Sequence, residues 1–203
     1  MDKGKIKNIE ILAKTKFLSL YSAEYENKLG NIKHWTIASR KSEKILKEQI
    51  FEGKEETIDA VVIVAFHKDL NKLVLIRQFR VPVNDYLYEL PAGLIDEGEE
   101  LSTAVARELF EETGLKLISI DKSKNIMPVY ASGGMSDESI ALIYCLCEGE
   151  PSTDHLEEDE DIEVVLISPE EARIMLKSKV KFDAKAYLAL QSFVILGKYI
   201  VRE

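Results

Sequence analysis

Three glutamates at helical spacing, Glu108, Glu111 and Glu112, are the residues of this chain best placed to do chemistry. They close the stretch GLIDEGEELSTAVARELFEETGL, Gly93 to Leu115, in which a glycine-rich turn runs into a short amphipathic segment. Positions i, i+3 and i+4 of a helix share one side, so the three carboxylates project together. That arrangement is locally unfavourable. Like charges at these spacings cost about 0.2–0.5 kcal/mol per pair, and anions in a helix's last turn oppose its dipole by about 0.3–1 kcal/mol each. A bound cation reverses both penalties. Oxygen-only ligands suit hard ions, which points to Mg²⁺ or Mn²⁺ with phosphate oxygens and water completing the shell.

The element that must position these groups is a helix starting near Ser102, a suitable N-cap, and ending at Gly114, which suits the left-handed position after a helix. Val105 and Leu109 then face the core. A glutamate run on a helix is ordinarily a solvated face. Here the wider spacing argues otherwise. The residues Gly93, Glu99, Arg107, Glu108, Leu109, Glu111, Glu112, Gly114 and Leu115 fit G-x5-E-x7-R-E-U-x-E-E-x-G-U, with U a bulky aliphatic, without a mismatch. Its seven fixed letters should match by chance about once in 10⁶ chains of this length.

This pattern closely resembles the signature box of the Nudix hydrolases. The resemblance implies an α/β/α sandwich with a mixed sheet, and metal-dependent hydrolysis of a nucleoside diphosphate linked to another moiety. It places Glu108, Glu111 and Glu112 at the family's metal-ligand positions. Glu99 and Arg107 match the pair that holds the loop against the helix, a structural role shared with Gly93 and Gly114.

The rest of the chain must supply the scaffold. Its 203 residues suffice for one good core, or for a core plus a small appendage. No apolar run approaches membrane-spanning length, and the lysine-rich start lacks a signal-peptide pattern, so a cytoplasmic location is expected. Cys145 and Cys147, two apart in an apolar run, read as ordinary small residues on one side of a strand rather than as a disulfide or zinc site. A net charge of −9 without a basic cluster disfavours nucleic acid as a partner.

Composition divides the chain into an N-terminal β module, residues 1–56, and a main domain, residues 57–203. In the module, KFLSLYSAEYE and IKHWTIASR read as a hairpin around the turn NKLGN. A lone hairpin is marginal in water and must lean on the main domain or a second subunit. In the main domain TIDAVVIVAF is apolar enough for a central strand. KLVLIRQF returns from it, and YLYEL leads into Pro91, Ala92 and the box. Beyond the helix, LKLISI, NIMPVYAS, SIALIYCLCE and EVVLIS read as strands. The acidic stretch GEPSTDHLEEDED is long enough to be a functional loop. Ser168 with Pro169, and then Asp183, signal the starts of two final helices.

Within the Nudix family the chain looks most like the ADP-ribose or ADP-sugar pyrophosphatases, mainly through RQFR and YELPAGLIDEGE. That resemblance implies substrate contact by Arg80 and a metal-ligating carbonyl at Ala92. It implies a homodimer that exchanges the N-terminal module, with Trp35 stacking on the base and Arg40 reaching the diphosphate. It also assigns the general base to the acidic loop, where Glu158 aligns best and Glu160 aligns with a residue that joins the metal shell. Products would be AMP and a sugar phosphate. Many members of this branch carry a proline where this chain has Ala131, Ser132, Gly133 and Gly134. GDP-mannose and UDP-sugars therefore stay open as substrates. A non-catalytic nucleotide-sugar sensor is the other class, although such domains typically lose box glutamates that this chain keeps.

Overall fold

A computed structural model describes residues 5–124, 127–156, 158 and 160–201. Along the chain the elements run β1 (Ile6–Lys14), β2 (Ser19–Glu26), β3 (Ile32–Ser39), α1 (Glu43–Phe51), β4 (Ala60–His67), β5 (Lys72–Arg80), β6 (Asp85–Glu89) and β7 (Ala92–Leu94). They continue with α2 (Leu101–Thr113), β8 (Lys116–Ile120), β9 (Val129–Tyr130), β10 (Ser139–Glu148), β11 (Ile162–Ile167), α3 (Pro169–Met175) and α4 (Ala184–Leu196). The described residues form two compact units, the first made of residues up to 59 together with 128–140, the second of 60–127 and 141 onward.

In the first unit the expected hairpin is present as β2 and β3, joined by a turn in which Gly30 takes a φ of 78°. It is not alone. β1 pairs antiparallel along β2, and α1 packs on β1, so Ile9, Tyr21, Ala23 and Leu46 form a small buried core. The lysine-rich opening hid this strand because Leu12 breaks the alternation of Ile9 and Ile11, and in the structure only Ile9 is buried. Segment 128–140 contributes only a two-residue strand, Val129–Tyr130, paired with the start of β10. This is shorter than the strand expected for NIMPVYAS, whose first two residues lie outside the described part of the chain.

The second unit is built on a sheet of order β11-β5-β4-β10-β8, with β6 paired to β5 and β7 to β4. All eight residues of β4 are buried, as expected for a strand covered on both sides. Helix α2 packs on β4, β7 and β8, while α4 packs on β6 and brings Phe193 edge-on to Phe66 of β4. The result is the mixed-sheet α/β sandwich implied by the box. Both final helices start where their caps indicated, α3 in a capping box formed by Ser168 and Glu171, α4 on the Asp183 carboxylate. No helix among the described residues is long and apolar enough to cross a membrane.

Candidate active site

Helix α2 is the frame of the site. Val105 and Leu109 are fully buried, as the stripe required, and Gly114 ends the helix in the left-handed region with φ 72°. A side chain at Gly114 would also collide with the backbone of Ser152, 2.7 Å from an ideal Cβ. The start of the helix differs from expectation. Its N-cap is Glu100 rather than Ser102, because the Glu100 carbonyl already accepts the amides of Thr103 and Ala104 at 2.9 and 3.1 Å. One residue earlier, Glu99 is fixed by Arg107, so the turn closes sooner than the capping preference of Ser102 suggested.

Arg107 ties the loop to the helix. Its guanidinium donates to both oxygens of Glu99 at 3.0 and 2.9 Å, to the Leu94 carbonyl at 3.0 Å, to Glu108 at 2.7 Å and to Glu111 at 3.1 Å. The hydrogen bonds that it accepts from Arg107 hold the Glu99 carboxyl below the usual range. Gly93 has a separate reason to be glycine. An ideal Cβ there would sit 2.0 Å from the Glu108 carboxylate, so a missing side chain makes the cradle in which that carboxylate lies.

The three glutamates are not equivalent. Glu112 is 3% exposed and Glu108 9% exposed, whereas the Glu111 side chain is 44% exposed. Glu112 accepts the Ala92 amide at 2.9 Å, which sets the backbone at the entrance of the box. Burial pushes the Glu112 carboxyl well above the ordinary range; the Ala92 amide opposes this, while the charges of Glu108 and Glu160 add to it. Burial likewise raises Glu108, against the pull of Arg107 and with Glu111 and Glu160 adding. Buried oxygens with excess negative charge and no thiol or imidazole among them fit a hard divalent cation. Among the described residues no group of three metal-ligating side chains already converges; Arg107 Nη1 lies between Glu108 and Glu111.

Arg80 belongs to the same neighbourhood. It forms a two-pronged ion pair with the buried Glu89, Nε to Oε1 at 2.7 Å and Nη2 to Oε2 at 2.9 Å, and its charge is felt at Glu112. Sequence reasoning passed over Glu89. The partners lie on different strands, and the only sign was a glutamate within an otherwise apolar entry to the box. Two residues before Arg80, the side-chain oxygen of Gln78 is buried with no hydrogen-bond partner among the described residues. In the acidic loop Glu160 is half-buried and acts electrostatically on Glu108 and Glu112, whereas Glu158 stands on an exposed turn.

Trp35 and Arg40 lie in the first unit. Trp35 is 53% exposed, which removes core packing as its role, and its indole nitrogen donates to the Gly134 carbonyl at 3.3 Å. It lines an open, mostly apolar cavity of about 570 Å³ with Tyr25, Ile37, Tyr130 and Met135. Arg40 pairs with Glu138 at 3.2 Å.

The model of the NUDIX domain matches residues 56–190. An ADP-ribose pyrophosphatase of Bacillus subtilis is 32% identical over 172 residues, covering 72% of this chain and 89% of the relative. A yeast ADP-ribose pyrophosphatase is 27% identical over 92% of this chain and 81% of its own length. The chain is also 31% identical to a methanol dehydrogenase activator of Bacillus methanolicus over 65% of its length. A crystal structure of an ADP compounds hydrolase superposes with a TM-score of 0.66 over 96% of both chains at 19% identity, which is a likeness of fold. Together with the complete glutamate box, these matches show that the chain belongs to the Nudix family, as a pyrophosphohydrolase of the branch that includes the ADP-ribose pyrophosphatases.

Proposed function

We propose that the protein hydrolyses the diphosphate bond of a nucleoside-diphosphate sugar, with ADP-ribose the best-supported substrate, to give AMP and a sugar phosphate. The observation that carries this reading is the buried pair Glu108 and Glu112 seated on the Gly93 loop, at the end of a helix whose loop is locked by Arg107. The names of the relatives from B. subtilis and yeast support the choice of ADP-ribose. Glu108, Glu111, Glu112 and the Ala92 carbonyl would hold Mg²⁺ or Mn²⁺. Such ions, when bound, neutralise a diphosphate and lower the pKa of a bound water.

The chain's own residues supply orientation and proton transfer. The carboxylate of Glu89 holds the guanidinium of Arg80 in one plane, leaving Nη1 to donate to a phosphate oxygen. The Ala92 amide fixes the Glu112 carboxylate, so this one ligand is oriented before substrate arrives. Glu160, whose charge already reaches Glu108 and Glu112, is favoured over the exposed Glu158 as the group nearest the attacking water. Trp35 offers an exposed indole for a nucleobase, and Arg40 a cation for the diphosphate. The N-terminal sheet is assigned to a homodimer, in keeping with exposed apolar side chains such as Leu12 and Phe17.

A panel of ADP-ribose, other ADP-sugars, GDP-mannose and UDP-glucose tests the assignment, with added phosphatase releasing phosphate from the products. Turnover of ADP-ribose well above the others, only with Mg²⁺ or Mn²⁺, is the expected result. Preference for a GDP- or UDP-sugar moves the specificity, and no turnover of any member refutes the reading. Sedimentation at micromolar concentration should give a dimer.

A further inference from the structure

Within the first unit, β3 and the two residues just after it hold the segment 134–138 at four points. The Trp35 indole donates to the Gly134 carbonyl, the Ala38 amide to the Met135 carbonyl at 2.9 Å, and Arg40 pairs with Glu138. The fourth point is the least exposed. The Lys41 ammonium, its side chain 10% exposed, donates to Asp59 at 2.7 Å, to the Asp137 carboxylate at 3.1 Å and to the Asp137 carbonyl at 3.4 Å. The Asp59 oxygen that Lys41 contacts also accepts the amide and hydroxyl of Ser139, at 2.9 and 3.1 Å. Burial works against the charge on Lys41, but the hydrogen bond it donates to Asp59 and the charges of both aspartates more than offset it and raise its pKa.

We propose that Lys41 is a positioning residue for substrate: by clamping Asp137 to Asp59 it holds the 133–138 segment along β3. It thereby sets the contact of Gly134 with the Trp35 ring and the shape of the cavity that both line. The energetics are lopsided. Trp35, Arg40 and the backbone bond are exposed or single contacts worth little each, whereas one half-buried cation holds two carboxylates that would otherwise repel. Removing it turns the strongest of the four attachments into a repulsion. The kinetic consequence rests on the proposed function, because it requires this cavity to receive the nucleotide sugar.

Trp35 is the only tryptophan in the chain, so its emission reports on the clamp without reference to activity. Lys41→Met should red-shift Trp35 emission and steepen its quenching by acrylamide. Asp137→Asn, which keeps Lys41 and Asp59 paired, should do the same to a smaller extent and serves if the first variant fails to fold. Lys47→Met, which loses only a surface pair with Glu43, should match the parent. With ADP-ribose as substrate, Lys41→Met should raise KM about tenfold and leave kcat within about twofold, the pattern of lost substrate positioning away from the reacting atoms. Folded variants with unchanged emission and quenching, or a fall in kcat at constant KM, would overturn the proposal. A parent protein inactive on every nucleotide sugar would refute the functional reading instead, while the fluorescence comparison would still decide the role of Lys41.

Discussion

Replacing Glu112 with glutamine should abolish turnover and leave the metal-free protein as stable or more stable. The side chain is almost wholly buried, yet its one hydrogen bond, from the Ala92 amide, is available to a glutamine oxygen. What the substitution removes is charge: the penalty of a buried anion and repulsion by Glu108 and Glu160, set against a smaller attraction to Arg80, together with opposition to the helix dipole. Taking about 0.2–0.5 kcal/mol for each like-charge neighbour and about 0.3–1 kcal/mol for the dipole gives a gain of about 0.7–2 kcal/mol. For a chain of this size that is a rise in Tm of about 1–8 °C. The sign of the pH dependence follows. Burial raises the carboxyls of Glu108 and Glu112, so above the ordinary glutamate range the folded state binds more protons than the unfolded one. Metal-free protein therefore loses stability as pH rises through the window between the ordinary and the raised values, and Glu112→Gln should flatten that loss. Calorimetry with and without Mg²⁺ completes the test. The parent should gain about 2.7 kcal/mol at a hundred times the Kd of the ion, and the variant much less. A variant that melts lower than the metal-free parent, or that retains turnover, would refute the account of Glu112 as a buried ligand kept at a cost to stability.

Arg107→Lys should not rescue Arg107→Ala, because a single ammonium cannot bond Glu99, Glu108, Glu111 and the Leu94 carbonyl together. Chemical denaturation should show both variants losing about 2–3 kcal/mol, less than the 3–5 kcal/mol typical of a fully buried pair because the arginine is partly exposed. Glu89→Gln should raise KM about tenfold with a smaller change in kcat, since Arg80 loses a charged two-pronged partner; steady-state kinetics showing no change in KM would remove Glu89 from substrate positioning. Glu160→Gln should lower kcat by about 10²-fold or more and respond in part to raised Mg²⁺, with Glu158→Gln much milder. The reverse order in single-turnover rates would return the role of base to Glu158.

The chemistry of this protein was legible in the sequence because it is written locally. Glu108, Glu111 and Glu112 share a helix, so their spacing alone placed them together, and Gly114, Ser168 and Asp183 marked helix ends through backbone preferences that act within a few residues. The unbroken β-branched run of β4 announced a doubly covered strand for the same reason. Tertiary structure decided what depends on residues far apart in the chain. Burial divides Glu108 and Glu112 from Glu111, although helical geometry treats them alike, because only neighbouring strands determine which carboxylates lose water. Pairing with β2 made a strand of β1, whose apolar residues Ile6, Ile9, Ile11, Leu12 and Ala13 do not keep to one face. Glu89 with Arg80, and Lys41 with Asp59 and Asp137, are matched across strands and loops, where no periodicity records the partner. Such ion pairs form only once the backbone has brought the charges into a site where water no longer screens them.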